Sequence, residues 1–274
     1  MMPNYVDFPP IAKSLSAPPS FLGESGDLDQ PIVAWAGHLD NSVPLGPCNH
    51  PRAHLVFCFD GGMRVEIGDD RWFIPDRHGI WIPPETQCQI TTTSLIEFQS
   101  FYIHSRYAAN VDMPEQPTVV RATPLIRGIA RRLAPQAKGL LTMPERQRLE
   151  WVALDEIPRL EQSDLCLPGA RDPRVAAAIT HLLSDPANAG NLARLADQIG
   201  TSERTLGRLF QTETGLNWRE WRDRMRFLLA LEGLQKGLNS KSLAVRLGYS
   251  SPSAFTAAFR RRAGMSPSQW RRHN

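Results

Sequence analysis

Residues 247–264, LGYSSPSAFTAAFRRRAG, decide how the chain is read. The stretch opens with a glycine and a Ser-rich turn, continues with apolar residues at helical spacing, and ends in three arginines. Ser251 has the chemistry of a helix N-cap. Pro252 suits the first helical position, where its missing N–H would have no intrahelical partner anyway. Phe255, Ala258 and Phe259 fall on one stripe. The opposite face is left to Ser253, Thr256, Ala257 and Arg260. A helix that only filled a core needs neither a small polar leading edge nor a basic tail.

The same grammar occurs once more upstream. Residues 192–215, LARLADQIGTSERTLGRLFQTETG, align with residues 242–264, SLAVRLGYSSPSAFTAAFRRRAG. Each copy has a Leu-Ala pair, a glycine, a Ser-containing turn, two apolar residues four apart (Leu206 and Phe210; Phe255 and Phe259) and a closing glycine. Ala196 and Ala244 are 48 residues apart, and Gly215 and Gly264 are 49 apart. The small alanines allow two helices to approach, and Gly200 and Gly248 suit a turn at positive φ. Ser202 and Ser251 are placed to cap the second helix of each copy. The spacing predicts two helix-turn-helix units, over about 192–212 and 240–262.

In the first copy the outer face of the second helix is left to Arg204, Gly207, Arg208 and Gln211, with Ser202 at its start. A helix entering a major groove needs short or polar residues at its N-terminal end and cations towards the phosphates. Arg204 and Arg208 have the reach for guanine edges, Ser253 and Thr256 allow close approach, and Ala257 suits a thymine methyl. Arg260, Arg261, Arg262, Arg271 and Arg272 suit phosphates. Between the copies, residues 217–237, NWREWRDRMRFLLALEGLQKG, read as one helix with Trp218, Trp221, Met225 and Leu229 on its core stripe. About 19 residues rise roughly 28 Å, close to the roughly 34 Å turn of DNA.

Charge divides the chain the same way. Residues 171–274 hold 17 Lys and Arg against 8 Asp and Glu, a net +9, while residues 1–170 hold 14 against 20, a net −6. A basic module joined to an acidic one points to a polyanionic partner for the basic half. The chain of 274 residues is long enough for two domains, and its 42% hydrophobic and 22% charged residues are those of a globular protein. No apolar run approaches the roughly 18 residues of a membrane helix. The first residues, MMPNYVDFPPIAKSLS, lack the pattern of a secretory signal, so a cytoplasmic location is expected.

Residues 1–30, rich in Pro, Ser and Gly, are expected to be irregular. HLVFCFD, MRVEIG, RWFIP, GIWIPP, CQITTT and LIEFQSFYI then read as short strands divided by turn residues, hence a small barrel or sandwich. Phe57, Trp72, Trp81 and Phe101 are candidate barrel-facing aromatics. TPLIRGIARRLA and PERQRLEWVALDEIPRLEQ read as amphipathic helices, the second with Leu149, Val152 and Ile157 near one stripe. Such a stripe serves either to pair two subunits or to pack on the barrel. SDLCLPGARDP, residues 163–173, reads as a linker, with Asp172 and Pro173 opening the next helix.

The two copies, together with the ending GMSPSQWR, resemble the DNA-binding domain of the AraC/XylS family of bacterial transcription regulators over about residues 170–274. The resemblance implies base contacts from Arg204, Gly207 and Arg208, then from Pro252, Ser253, Thr256 and Ala257. Gly207 departs from the pattern, since it has no side chain to read with. The N-terminal half resembles the cupin-type sensory domains attached to such regulators. GIWIPPETQC matches the strand and turn that close the second cupin motif, with Cys88 where that motif usually ends in histidine. The first motif's positions read Cys48, His50, His54 and Gly61.

Even spacing along an extended segment would put residues 48, 50 and 54 on one face. Cys48, His50, His54 and Cys88 would then make a tetrahedral set for zinc or a soft site for copper(I), with Cys58 as a substitute. The alternative is that these residues simply fill the barrel. A closed four-ligand site leaves no open position for catalysis.

The expected fold class is therefore α+β and multidomain. Residues 1–165 form a cupin-like β-barrel with trailing helices, for sensing and dimerisation. Residues 171–274 form an all-α DNA-binding domain of the AraC type with two helix-turn-helix units. The expected function is sequence-specific regulation of transcription on double-stranded promoter DNA by a homodimer answering to a small molecule or metal ion. RNA polymerase joins the partners if the regulator activates. The competing class is a metal-dependent cupin enzyme with a helical appendage.

Overall fold

Each of the six strand-like runs forms a strand. In the structure, a computed structural model, residues 30–39, 45–92, 95–108, 112–134, 141–188 and 191–273 are described, with the backbone alone for 45–48 and 273. The stretch expected to be irregular lies, apart from Gln30, outside the described residues. The strands are β1 (Ile32–Leu39), β2 (Leu45–Cys48), β3 (Ala53–Phe59), β4 (Met63–Ile67), β5 (Asp70–Ile74), β6 (His78–Ile82), β7 (Cys88–Thr92), β8 (Ile96–Ile103), β9 (Thr118–Arg121), β10 (Gln162–Ser163) and β11 (Cys166–Leu167).

They make two sheets, one of order β1-β8-β3-β6-β9-β10 and one of order β11-β5-β4-β7-β2. Every ladder is antiparallel. The closed barrel expected from the sequence is instead a pair of facing sheets, with no ladder joining them among the described residues. Three of their four outermost members, β2, β10 and β11, are two to four residues long, too short to carry pairing round a corner.

The stretch LVFCF within the run HLVFCFD is apolar throughout because β3 is buried on both faces. Val56 and Cys58 point between the sheets, where they share a core with Met63, Val65, Ile90 and Phe98. Leu55, Phe57 and Phe59 point the other way, under α2 (Pro124–Leu133) and α3 (Met143–Glu156). Phe57, Trp81 and Phe101 thus belong to the helix-covered core and do not face the inter-sheet space; only Trp72 of the four candidates joins that core. Strand parity makes this assignment, and the sequence does not say which parity faces which layer. The α3 stripe also differs. Ala153, Leu154 and Ile157 are buried, whereas Val152 is exposed and Leu149 half-buried, since the helix axis is rotated from the expected line.

The expected linker is built into the sheets. Ser163 pairs with Val119, and Cys166 with Trp72, so the chain passes from one sheet to the other. Gly169 lies so close to the Asp69 carbonyl that a Cβ there would collide with it. After this crossing come α4 (Pro173–Ser184), α5 (Leu192–Ile199), α6 (Glu203–Thr214), α7 (Trp218–Gln235), α8 (Ser240–Arg246), α9 (Pro252–Ala263) and α10 (Pro267–His273). A four-residue α1 (Ser105–Ala108) completes the helices. Asp172 caps α4 through the Arg174 N–H, with Pro173 at its start, as its sequence predicts.

Candidate nucleic-acid interface

The two helix pairs, α5–α6 and α8–α9, are built alike. After α5 the chain turns through Gly200 at φ 75°, and the Thr201 N–H donates to the Ala196 carbonyl at 2.9 Å. After α8 it turns through Gly248 at φ 68°, and the Tyr249 N–H donates to the Ala244 carbonyl at 2.8 Å. Ser202 Oγ accepts from the Thr205 N–H, and Ser251 Oγ from the Ala254 N–H, both at 3.1 Å. These bonds satisfy N–H groups that a helix start leaves without partners. Leu206 and Phe210, and likewise Phe255 and Phe259, are buried, which locks α6 and α9 in place. Gly215 and Gly264, both at φ 71°, end the two helices.

The faces left over are those the sequence singled out. Arg204 and Arg208 on α6 are exposed, and neither guanidinium makes a hydrogen bond or ion pair to another described residue. Gly207 between them is half-buried. On α9, Pro252, Ser253, Ala257, Arg260 and Arg261 are exposed and Thr256 is half-buried. Two residues are already engaged: Ser202 as a cap, and Gln211, whose Nε2 donates to the Gly215 carbonyl at 3.0 Å and closes the end of α6. Both side chains hold the ends of α6. Between the pairs α7 has 18 residues, about 27 Å of helix. Trp218, Trp221 and Met225 are buried along it, with Leu228 in the core position expected for Leu229. The Trp221 indole donates to the Pro168 carbonyl at 2.8 Å, tying α7 to the crossing segment.

Residues 195–273 match a helix-turn-helix domain family, which spans both helix pairs. The transcriptional regulator NimR of Escherichia coli K12 is 29% identical over 239 residues, covering 87% of this chain and 86% of its own length. A putative AraC-like transcription regulator of Streptomyces lividans is 40% identical over 108 residues, 39% of this chain and 36% of that protein. The C-terminal half of the chain carries a helix-turn-helix domain like that of AraC-like transcription regulators. Among solved structures, ToxT from Vibrio cholerae covers 88% of this regulator and 98% of its own chain at 10% identity, with a TM-score of 0.37. The relatives are named as regulators, so the competing reading of a cupin enzyme falls away.

In the N-terminal half of the regulator the four candidate ligands do not lie on one strand. Cys48 ends β2 in the five-stranded sheet and His54 lies in β3 of the other, so parity along a single extended segment does not relate them. Two pairs form instead. The backbones of Cys48 and Cys88 are register partners. The rings of His50 and His54 both meet Tyr102, with centroids at 4.9 and 4.2 Å. The His54 ring is buried, its Nε2 has no hydrogen-bond partner, and burial together with neighbouring His50 pushes its pKa down to about 3, so the imidazole is neutral. Among the described residues no group of three or more His, Cys, Asp or Glu is placed to hold a metal ion, and the side chain of Cys48 lies outside those residues. Cys58 is fully buried in the inter-sheet core.

Residues joining the two halves are invisible in the sequence. Arg64 on β4 donates to both carboxylate oxygens of Glu232 on α7, at 2.7 and 2.6 Å. Lys236 donates to the same carboxylate at 2.7 Å. Burial alone would raise the pKa of Glu232, but the bonds from Arg64 and Lys236 hold it below the usual carboxylate range. Gln235 Nε2 donates to the Gly61 carbonyl at 3.0 Å, and Arg224 pairs with Asp164. These partners are up to 174 residues apart, and no local signal links them. No helix among the described residues is long and apolar enough to cross a membrane.

Proposed function

We propose that both helix pairs act as helix-turn-helix units on one promoter site, with α6 and α9 in successive major grooves. The observation that carries this is the repetition itself. Two equally capped helices, held by the same turn, each leave a face with no internal task. Arg204 and Arg208 are then base-reading side chains, and Ser253, Thr256 and Ala257 make a close apolar and hydroxyl contact. Arg260 and Arg261 meet phosphates at the edge of the groove. The test is DNA binding by anisotropy, against the DNA upstream of the regulator's own and neighbouring genes. A site-specific regulator prefers one such fragment and loses affinity linearly in log salt. Equal affinity for all fragments at every salt would leave only a non-specific DNA coat.

For the N-terminal half we propose a cupin-like sensory domain over residues 1–165, joined to the DNA-binding domain at 171–274. The strands make two facing antiparallel sheets, as in a jelly roll. The effector is a small molecule between the sheets or a zinc or copper(I) ion on His50, His54, Cys88 and Cys48. A neutral, buried His54 favours either. Metal content of the untagged protein, with Cys88→Ser alongside, separates them: near one metal per chain, lost in the variant, selects the ion. A homodimer is proposed through α3, whose Trp151 and Val152 stay 47% and 40% exposed. Sedimentation of Trp151→Asp tests it, and a dimer unaffected by that change would move the interface elsewhere. The cytoplasm is the proposed location, and RNA polymerase a partner if the regulator activates.

A further inference from the structure

Behind α9 the structure holds a basic feature of which the DNA reading uses only Arg261. A cavity of about 460 Å³ lies between α7, the turn at Tyr249 and α9. Its wall combines Phe227 and Tyr249 with Arg222, Arg226, Arg261 and Arg262. The carboxylate among its lining residues, Asp223, is taken by Arg222 at 3.0 Å. The other three guanidiniums make no ion pair with a described residue.

Arg226 is the unusual one. It is only 8% exposed, and its Nε is buried with no hydrogen-bond partner. Its guanidinium stands 5.2 Å from the Tyr249 ring centre, and that of Arg262 stands 5.4 Å from the Phe227 ring centre. A ring face offsets part of the loss of water around a cation, but it supplies no counter-charge. Buried charge without a partner is unfavourable unless something brings the partner. The DNA is badly placed to do so. At roughly 100° per residue, Arg262 lies about 180° round α9 from Ser253, and Phe255 and Phe259 flank it on that side.

We propose that this cavity binds a small organic anion, held through a phosphate or carboxylate group by Arg226 with Arg262. Guanidinium forks take such groups in bidentate fashion. The volume lies within the range of about 300–1,000 Å³ usual for small-molecule sites. The aromatic wall accepts the ligand's apolar body. Occupancy would neutralise the back of α9 while its front faces DNA, giving the DNA-binding half an input separate from the sheets. The site itself does not rest on the DNA reading; only its position behind the reading face does.

The test is titration of the full chain, free of DNA, with inorganic pyrophosphate at ionic strength held constant with chloride. Calorimetry and melting temperature are the readouts. Saturable binding is expected, with a rise of about 2–4 °C at saturation. The affinity should fall about tenfold or more in Arg226→Met, because a charge-assisted contact is lost. It should be unchanged in Arg208→Ala, on the other helix pair. Arg262→Gln, at the exposed rim, gives an independent weakening if Arg226→Met does not fold. No saturable binding, or binding kept by the cavity variants, overturns the proposal. So does a pyrophosphate response lost equally in Arg208→Ala while the cavity variants lose DNA affinity with a shallower salt slope. The arginines would then be serving DNA phosphates. DNA affinity is scored separately, so a failure of the promoter reading leaves the anion result interpretable.

Discussion

Between α5–α6 and α8–α9 the backbone changes little: the same positive-φ glycine, the same Ser cap, two buried apolar residues four apart, the same glycine exit. The outer faces and the packing around the turns do change. A Cβ on Gly200 would meet nothing within 4 Å, whereas one on Gly248 would run into the backbone carbonyl of Ala187 in the turn after α4. The first pair shows long cations at Arg204 and Arg208; the second shows Ser253, Thr256 and Ala257. The residues that make the scaffold have been kept between the copies, while those facing outward have diverged. That is the pattern on which the proposal of two reading heads rests.

The largest expected effect tests the turns. Gly248→Ala should destabilise by about 2–5 kcal/mol, from a strained left-handed backbone plus an overpacked contact that cannot give way. Gly200→Ala carries only the backbone part, about 1 kcal/mol. Urea unfolding of both variants measures the gap, and equal losses would mean that the Ala187 contact is irrelevant.

The faces come next. Arg208→Ala should weaken operator binding by about 1–3 kcal/mol and relax the preference at one base pair. Arg260→Ala should weaken all sequences alike and lower the salt slope by about one. If Arg208→Ala behaved like Arg260→Ala, α6 would be a phosphate clamp and the contrast between the pairs would shrink. At the caps, Ser202→Ala and Ser251→Ala should each lose about 1 kcal/mol of stability. A marked inequality would show that one pair leans on its cap and the other on its packing.

The smallest effect concerns Gly207. Its Cβ would sit 3.5 Å from Leu192, an ordinary contact, so Gly207→Ala should stabilise α6 by about 0.5–1 kcal/mol. A fall in DNA affinity in that more stable protein would assign Gly207 to close backbone approach. Unchanged affinity would leave it a helix defect without a role.

Much of the C-terminal half was legible because its signals are local. Ser202, Ser251 and Asp172 cap helices within three residues of themselves, Pro252 begins one, and Gly200 and Gly248 take the φ that their turns require. The six strands β3 to β8 were legible for the same reason. The short β2, β9, β10 and β11 were not, since two to four residues carry too little alternation and gain their partners from distant strands. The metal candidates show the limit most clearly. Even spacing from Cys48 to His54 holds along one strand only, and the chain changes sheet between them.

From sequence alone came the duplicated helical grammar, the basic half against the acidic one, and the exposed faces of α6 and α9, all set by capping chemistry, helical periodicity and charge counts over a few residues. Tertiary structure alone decided the open pair of sheets, the stitching of residues 163–169 into both, the Arg64–Glu232 bridge and the arginine-lined cavity behind α9. Each of those depends on which surfaces meet once apolar area is buried, and a contact between residues 168 positions apart leaves no periodicity in the chain to read.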